Sequence, residues 1–510
     1  MRKFFKLLFS RFFITSILIL LEIALLVFGV FILNETVYPT ILAAVTLALD
    51  ICFTLYIINS DINADYKIAW IVPILGLPIL GCVLYLVFGQ KRLPRYTVKK
   101  ITKALNGADC LYESNVEIDK RYKETDEFLS SCATLIKRES FLPALDCDEI
   151  EYFKIGEEYA QRLYEILNGA KKYIFLEFFI IAKGKFWNNV LSILTEKVKQ
   201  GVDVRLIYDD MGSIKNLPTN YPEQLKKLGI KCFSFNKYRP ILDIAQNNRT
   251  HRKIVVVDGE YAFTGGINLA DEYINELERF GHWKDTGVMI KGRAAQNFTA
   301  MFLTFWSIKF GVEENGYEQF LADKQSQGKY LCIPFTDSPA NARNQICENL
   351  YIKIIYNAKK YVYINTPYFI IDGEMKKALI SAAHSGVDVR ITVPHIPDKK
   401  YVFALTKAFY SPLILEGVKI YQYTPGFIHA KSIVSDDKYA IVGSSNMDFR
   451  SLYLHHECNA LFYGEDVCKP VCEDYLNTCK ISELITKEKI KVRWYSRLYR
   501  AVLRIFAPML

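Results

Sequence analysis

At 510 residues the chain is too long for one ordinary domain and long enough for two or three. Its 51% hydrophobic content and slightly positive mean hydropathy exclude a uniformly polar soluble enzyme, because the apolar excess is concentrated in the first 90 residues. A net charge of +9, from 64 basic and 55 acidic residues, suits nucleic acid or an anionic membrane surface and does not choose between them. The 12 cysteines contain no CxxC pair. Cys468, Cys472 and Cys479 cluster without a nearby histidine, which excludes a zinc set there, so the cysteines read as buried free thiols of a reducing compartment.

Three apolar stretches open the chain. Phe12–Leu33 carries one charge, Glu22; Tyr38–Ile58 carries one, Asp50; Ile68–Phe88 carries none. Each is long enough to cross a bilayer as a helix, which takes about 20 residues, and the apolar run extends too far for a cleaved signal peptide. Residues 1–90 are therefore expected to be a membrane-spanning helical region of a multi-pass protein of the cell membrane. Arg2, Lys3, Lys6 and Arg11 precede the first stretch, and Lys91, Arg92, Arg95, Lys99 and Lys100 follow the third. Both clusters favour the cytoplasm, yet three full crossings would put them on opposite faces. The third stretch, with Pro73, Gly76, Pro78 and Gly81, is the one expected to kink or re-enter, leaving the catalytic part cytoplasmic.

Residues 91–150 are charged and irregular and read as a linker with some helix. An internal repeat follows. NGAKKYIFLEFFII near position 168 returns as YNAKKYVYINTPYFII near 356, QGVDVRLIYDD from Gln200 as SGVDVRITVPH from Ser385, and LGIKCFSF as EGVKIYQY. Each copy reads helix, strand, helix, strand, helix, strand, the alternation of parallel sheets covered by helices. The expected fold is α/β, with two pseudo-symmetric repeats at 151–325 and 326–482 forming one catalytic body. The tail, 483–510, is read as a basic amphipathic helix. Arg493, Arg497, Arg500 and Arg504 share one face of it and Trp494, Leu498, Val502, Ile505 and Phe506 supply the other, a pattern that suits an anionic membrane or packing on its own domain.

The chemistry sits in the repeat. HRKIVVVDGEYAFTGGIN begins at His251 and HAKSIVSDDKYAIVGSSN at His429. His251, Lys253, Asp258, Gly265 and Asn268 match His429, Lys431, Asp436, Gly443 and Asn446, every pair 178 positions apart, as 429 less 251 and 446 less 268 both give. HxK puts both side chains on one face of a strand, and the glycine turn after it can bring an amide beside that face. Two such faces meeting at a pseudo-dyad gather two imidazoles, two ammonium groups and the amides of Asn268 and Asn446 around one tetrahedral phosphate. One neutral imidazole can attack phosphorus while the other moves the proton. The lysines and asparagines can stabilise the non-bridging oxygens, so neither metal nor other cofactor is required. Carboxylate clusters and a phosphate-cradling glycine loop are absent.

These paired motifs resemble those of the phospholipase D superfamily, over roughly residues 155–480. AWIVPILGLPILGCVLYLVFG, GGINLADEY, GSSNMDFRS, HWKDT and the final APML further resemble bacterial cardiolipin synthases. The resemblance implies transfer of a phosphatidyl group between two phosphatidylglycerols, with release of glycerol through a phosphohistidine. It implies that His251 attacks and His429 serves as acid and base, with Asp285 supporting His429 and Glu457 supporting His251. It makes Asp258 and Asp436 structural members of a motif otherwise catalytic. LHHEC at Leu454–Cys458 departs from the resemblance, and His455 and His456 read as packing or surface residues. Glu177 and Tyr368, at the ends of equivalent strands, are candidates for a headgroup pocket or, equally, for core or structural roles. The expected partners are phospholipids and the bilayer, with no nucleic acid; a homo-oligomer is compatible with the sequence. A hydrolase or a different acceptor alcohol uses the same chemistry and stays open.

Overall fold

The computed structural model describes residues 38–89, 99–100, 103–104, 109–238, 244–311, 316–321, 327–339 and 345–509. The first apolar stretch, Phe12–Leu33, lies outside the described residues. The chain divides into two compact units: 1–92 with 238–248 and 501–510, and 93–237 with 249–500.

In the first unit the second apolar stretch forms the helix Tyr38–Ile58. The third does not form a single helix. It breaks at Leu77 into Ala64–Gly76 and Pro78–Phe88, with Pro73 inside the first and Pro78 opening the second. The two pieces pack together because Gly81 lies against the backbone at Pro73, where a Cβ would come within 2.4 Å of the Pro73 oxygen. Thirteen residues rise only about 20 Å, short of the roughly 30 Å hydrocarbon core. Among the described residues no helix is long and apolar enough to cross a membrane. Met509 packs on the cluster formed by Ile57, Trp70, Ile74, Cys82 and Tyr85.

The second unit holds both repeats. The helices Gly156–Gly169, Lys185–Lys199 and Tyr221–Lys227 alternate with strands Tyr173–Phe178, Asp203–Asp209 and Lys231–Phe235. In the second copy Ile346–Asn357, Gly373–His384 and Lys400–Leu415 alternate with Tyr361–Asn365, Asp388–Pro394 and Lys419–Tyr423. Within each copy these three strands are parallel, as the sequence alternation predicts.

The sheets are nevertheless mixed, not parallel throughout. Each motif strand, Ile254–Val257 or Ser432–Ser435, runs antiparallel to the first strand of its repeat and forms a hairpin with Tyr261–Gly265 or Tyr439–Gly443. A turn of three residues is too short for the crossover that parallel pairing demands. The turns suit their residues: Asp258, Gly259, Asp436 and Asp437 all take positive φ. Among the described residues the first sheet has seven strands and the second nine.

Alternation decides how the first sheet is covered. Phe175, Ile254 and Val256 join the large core shared by both repeats, whereas Ile174, Leu176, Val255 and Val257 face the repeat's own helices. Both faces are dry, so these strands read as continuous apolar runs. The stretch after residue 109, read as a linker with some helix, packs into the core. Val116–Thr125 and Glu127–Ser140 are helices whose Ile118, Leu129 and Ile136 enter the large core, and Leu145–Cys147 adds an edge strand to the nine-stranded sheet. The capping carboxylate of Asp126, which accepts from the Leu129 amide, is separated from the apolar i, i+3, i+4 pattern only by chain position.

Truncating fully buried Ile136 to Ala is expected to cost roughly 2–5 kcal/mol. Denaturant midpoints measure this, and an unchanged midpoint would return residues 116–140 to the status of a spacer.

Candidate active site

The two motif hairpins place their histidines and their aspartates at opposite ends of the same strands. His251 to Asp258 spans seven residues of extended chain, roughly 23 Å. The Asp258 carboxylate accepts the backbone N–H groups of Lys171, Lys172 and Tyr173 at 2.8, 2.7 and 2.9 Å. Asp436 does the same for Lys359, Lys360 and Tyr361 at 2.7, 2.9 and 2.9 Å. Each aspartate, grouped with the catalytic motif but read as its structural member, closes the turn before its first strand, remote from the imidazoles.

At the other end the repeats interlock. The His251 amide donates to the His456 carbonyl at 2.8 Å, and the His456 amide to the Arg249 carbonyl at 2.8 Å. Gly426–Ile428 pairs in parallel with His282–Lys284, and the His429 amide donates to the Lys284 carbonyl at 2.7 Å. The backbone of each motif is thus held by the other repeat just where its histidine begins.

The side chains are exchanged in the same sense. His251 Nδ1 lies 2.9 and 3.0 Å from the two Glu457 oxygens, and His429 Nδ1 lies 2.6 Å from Asp285 Oδ2. Sheet register makes the two acids equivalent: Gly265 pairs with Gly287 and Gly443 with Asn459, each two residues past its acid. An ionised carboxylate only accepts, so the ring proton sits on Nδ1 and the Nε2 lone pair is left for chemistry. Lys431 Nζ also approaches His429 Nδ1, at 2.8 Å, but one ring nitrogen cannot donate to Asp285 and accept from an ammonium. The shorter carboxylate contact takes the ring proton, and the ammonium donates to the His429 carbonyl. Lys253 Nζ donates to the equivalent His251 carbonyl at 2.5 Å.

Charge is held in a dry space. Burial, then the ammonium charges of Lys253 and Lys431, push His251 well below the ordinary imidazole range, and its ring also senses His429. His429 is lowered by burial, then by Lys431, Lys253 and Lys399. Burial lowers Lys253 to about 8 and Lys431 to about 7, against the pull of the nearby acids, and raises Asp285 and Glu457 to about 7. Both imidazoles are 7% exposed, whereas the two lysines are fully buried. Phe179 packs on His251, and Tyr273 and Trp283 pack on His429.

The remaining candidates divide. Asn446 keeps a buried Oδ1 without a hydrogen-bond partner among the described residues. Asn268 accepts from the Ile180 amide at 3.0 Å and donates to the Tyr273 hydroxyl at 2.8 Å, which fixes the aromatic wall of His429. Glu177 is fully buried and takes the structural one of its two readings, since its carboxylate accepts from Thr250 and from Arg252 Nε. It anchors the residues on either side of His251 from below. Tyr368 is half-buried, its hydroxyl donating to Asp398 at 2.6 Å beside Lys399, where it can line an entrance. His456 is packing, its ring set edge-on between Phe235 and Phe305. Sequence reading missed Ser444, whose hydroxyl donates to Glu457. The signal was the change from GGIN to GSSN: a Cβ at Gly266 would stand 2.0 Å from Asp285 Oδ1, whereas Ser444 fills the matching place with a donor.

Two outcomes follow from this geometry. The alkaline limb of kcat/KM should fall as pH rises through about 7 to 8, because Lys431 and Lys253 lose the positive charge that attracts a phosphodiester. Lys253→Arg should lower the rate but shift its share of the limb upward, and an unmoved limb would reassign it. Asp258→Ala should cost about 1–3 kcal/mol in thermal unfolding through three orphaned amides, leaving kcat of the folded protein within severalfold. Loss of kcat at unchanged stability would contradict the structural role.

Comparison with known proteins follows the same lines. Residues 163–306 and 351–478 match the family profile described as cardiolipin synthase, PLD-like domain, and 43–90 match the phospholipase D-nuclease N-terminal family. An uncharacterized protein of Streptococcus mutans is 40% identical over 89% of this chain and 99% of its own length. A cardiolipin synthase of Alkalihalophilus pseudofirmus is 32% identical over 91% of this chain and 94% of its own. In fold, the chain is similar to the phosphatidylserine synthase of Haemophilus influenzae, with a TM-score of 0.54 at 15% identity, covering 74% of this chain and 98% of that one. With two complete motif hairpins exchanging their acids and relatives matched nearly end to end, the chain belongs to the cardiolipin synthase family of phospholipase D-like proteins.

Proposed function

We propose that this chain is a cardiolipin synthase, a phosphatidyltransferase that joins two phosphatidylglycerols into cardiolipin and glycerol. The observation that carries the reading is the reciprocal pair of imidazoles, each held by an acid of the other repeat, with two buried lysines beside them. One phosphodiester is exchanged for another, so no external energy source or cofactor is needed.

His251 Nε2 attacks phosphorus of the first lipid; the N–P bond forms as the P–O bond to glycerol breaks. His429, protonated, gives its proton to the departing glycerol oxygen. An anionic phosphodiester between the rings offsets the ammonium charges that hold His429 down, so substrate binding itself favours that protonation. The glycerol hydroxyl of the second lipid then gives its proton to His429 while its oxygen takes phosphorus from His251. Lys253, Lys431 and the Asn446 amide are assigned to the non-bridging oxygens. Ring walls of Phe179, Tyr273 and Trp283 favour a lipid alcohol over water at the second step.

The substrates stay in a bilayer, and the first unit suits one. Ile41, Leu47, Leu55, Leu75 and Leu86 all turn their side chains outward. The broken third stretch acts as a re-entrant hairpin, which reconciles the two flanking basic clusters on one cytoplasmic side. The terminal helix Trp494–Ile505 buries none of its residues, and Trp494 is 76% exposed, which suits a helix lying on an anionic membrane surface.

Purified protein given labelled phosphatidylglycerol should form cardiolipin and glycerol in equal amounts, and a chelator should not lower the rate. Phosphatidic acid as sole product would make the enzyme a hydrolase, and conversion only with another alcohol would change the acceptor. His251→Ala and His429→Ala should each lower turnover by roughly 10⁴-fold or more with unchanged melting, and appreciable turnover in either would remove the paired mechanism.

A further inference from the structure

His455 is not used by the mechanism, yet its ring centre lies 5.7 Å from that of His251. Its Nδ1 is buried and has no hydrogen-bond partner among the described residues. That nitrogen stands 3.9 Å from Glu457 Oε1, too far for a hydrogen bond, and the same oxygen is 2.9 Å from His251 Nδ1. One donor atom from each of His251, His455 and Glu457 lies within 4.8 Å of the others. Tetrahedral ligands bound at about 2.0–2.2 Å stand about 3.4 Å apart, so shifts of an ångström or less would close these three around one ion.

We propose that His251, His455 and Glu457 form an inhibitory site for a divalent cation of the zinc class. Two imidazoles and one carboxylate suit zinc and its neighbours, whereas magnesium and calcium prefer oxygen donors. Water would take the fourth position. Ser444 bonds the other Glu457 oxygen, Oε2, and so orients the ligand from outside the site. The ion and the nearby Lys253 ammonium repel one another, which keeps binding reversible.

The inhibition follows from the tautomer and rests on His251 as the attacking group. A metal–nitrogen bond at Nδ1 takes that lone pair, and the displaced Nδ1 proton moves to Nε2. The ring stays neutral, but Nε2 now carries hydrogen and has no lone pair for phosphorus. Removing the ion returns the proton to Nδ1 beside Glu457.

The test uses the full chain in detergent, incubated with zinc chloride, desalted and assayed for metal by atomic emission and for turnover. Wild type is expected to retain one zinc per chain and to lose most of its turnover, recovered by chelator. Magnesium is not retained. His455→Asn and the longer His455→Gln, both checked by thermal melting, should bind zinc roughly 10–100-fold more weakly and keep zinc-free turnover near wild type. The exposed His384→Asn control should behave as wild type. No zinc on wild type, or equal zinc on a folded His455 variant, overturns the site. Zinc held through His455 with undiminished turnover overturns the inhibition and counts against His251 as the attacking group, while lipid products without zinc report on the transferase reading separately.

Discussion

Each motif imidazole is oriented by a carboxylate that its own repeat does not contain. His251 leans on Glu457, His429 on Asp285, and the backbone at each histidine is hydrogen-bonded across the same boundary. A single repeat would present a histidine with a free ring, able to rotate and to take either tautomer. The exchange makes the site a property of the assembled pair. It also makes the two motifs interdependent, since the acid strand of each repeat holds the histidine of the other.

Dryness gives this arrangement its chemistry. Burial disfavours charge on every group around the pocket, lowering histidines and lysines and raising the acids toward neutrality. Both imidazoles are therefore held neutral without an outside base, and the lysines sit near the point at which a bound anion would decide their charge. The site is poised for its anion, because the anion supplies what the enclosure withholds.

The two halves are not equal beneath this symmetry. In the first, Glu177 ties Thr250 and Arg252 into a buried polar network under His251, and Arg252 stacks on Phe305. In the second, the matching strand carries Asn365, bonded to Ser432, and the neighbours of His429 are the apolar Ile428 and Ala430. Glu457 receives a hydroxyl from Ser444, whereas Asp285 accepts the Thr286 amide beside its histidine and leaves no room for a Cβ at Gly266. The two acids thus hold their histidines through different sets of hydrogen bonds, although burial raises both carboxyls to about 7.

The order of helices and strands, the duplication and the pairing of His251 with His429 are legible in the residues alone, because apolar periodicity and equal spacing are properties of the chain in one dimension. The exchange of Asp285 and Glu457 entered through resemblance and became physical only in the register of Gly265 with Gly287 and Gly443 with Asn459. Other features needed the fold to make their signal readable. Antiparallel motif hairpins follow from turn length, the withdrawal of Asp258 and Asp436 to the far strand ends from extended geometry, and the burial of Glu177 from the packing of Arg252. His455 looked like a surface or packing residue because nothing in LHHEC says where its ring will stand. Spacing determined which groups the protein carries. Only the closing of two sheets on one another, which removes water and brings distant residues within bonding range, decided which of them meet.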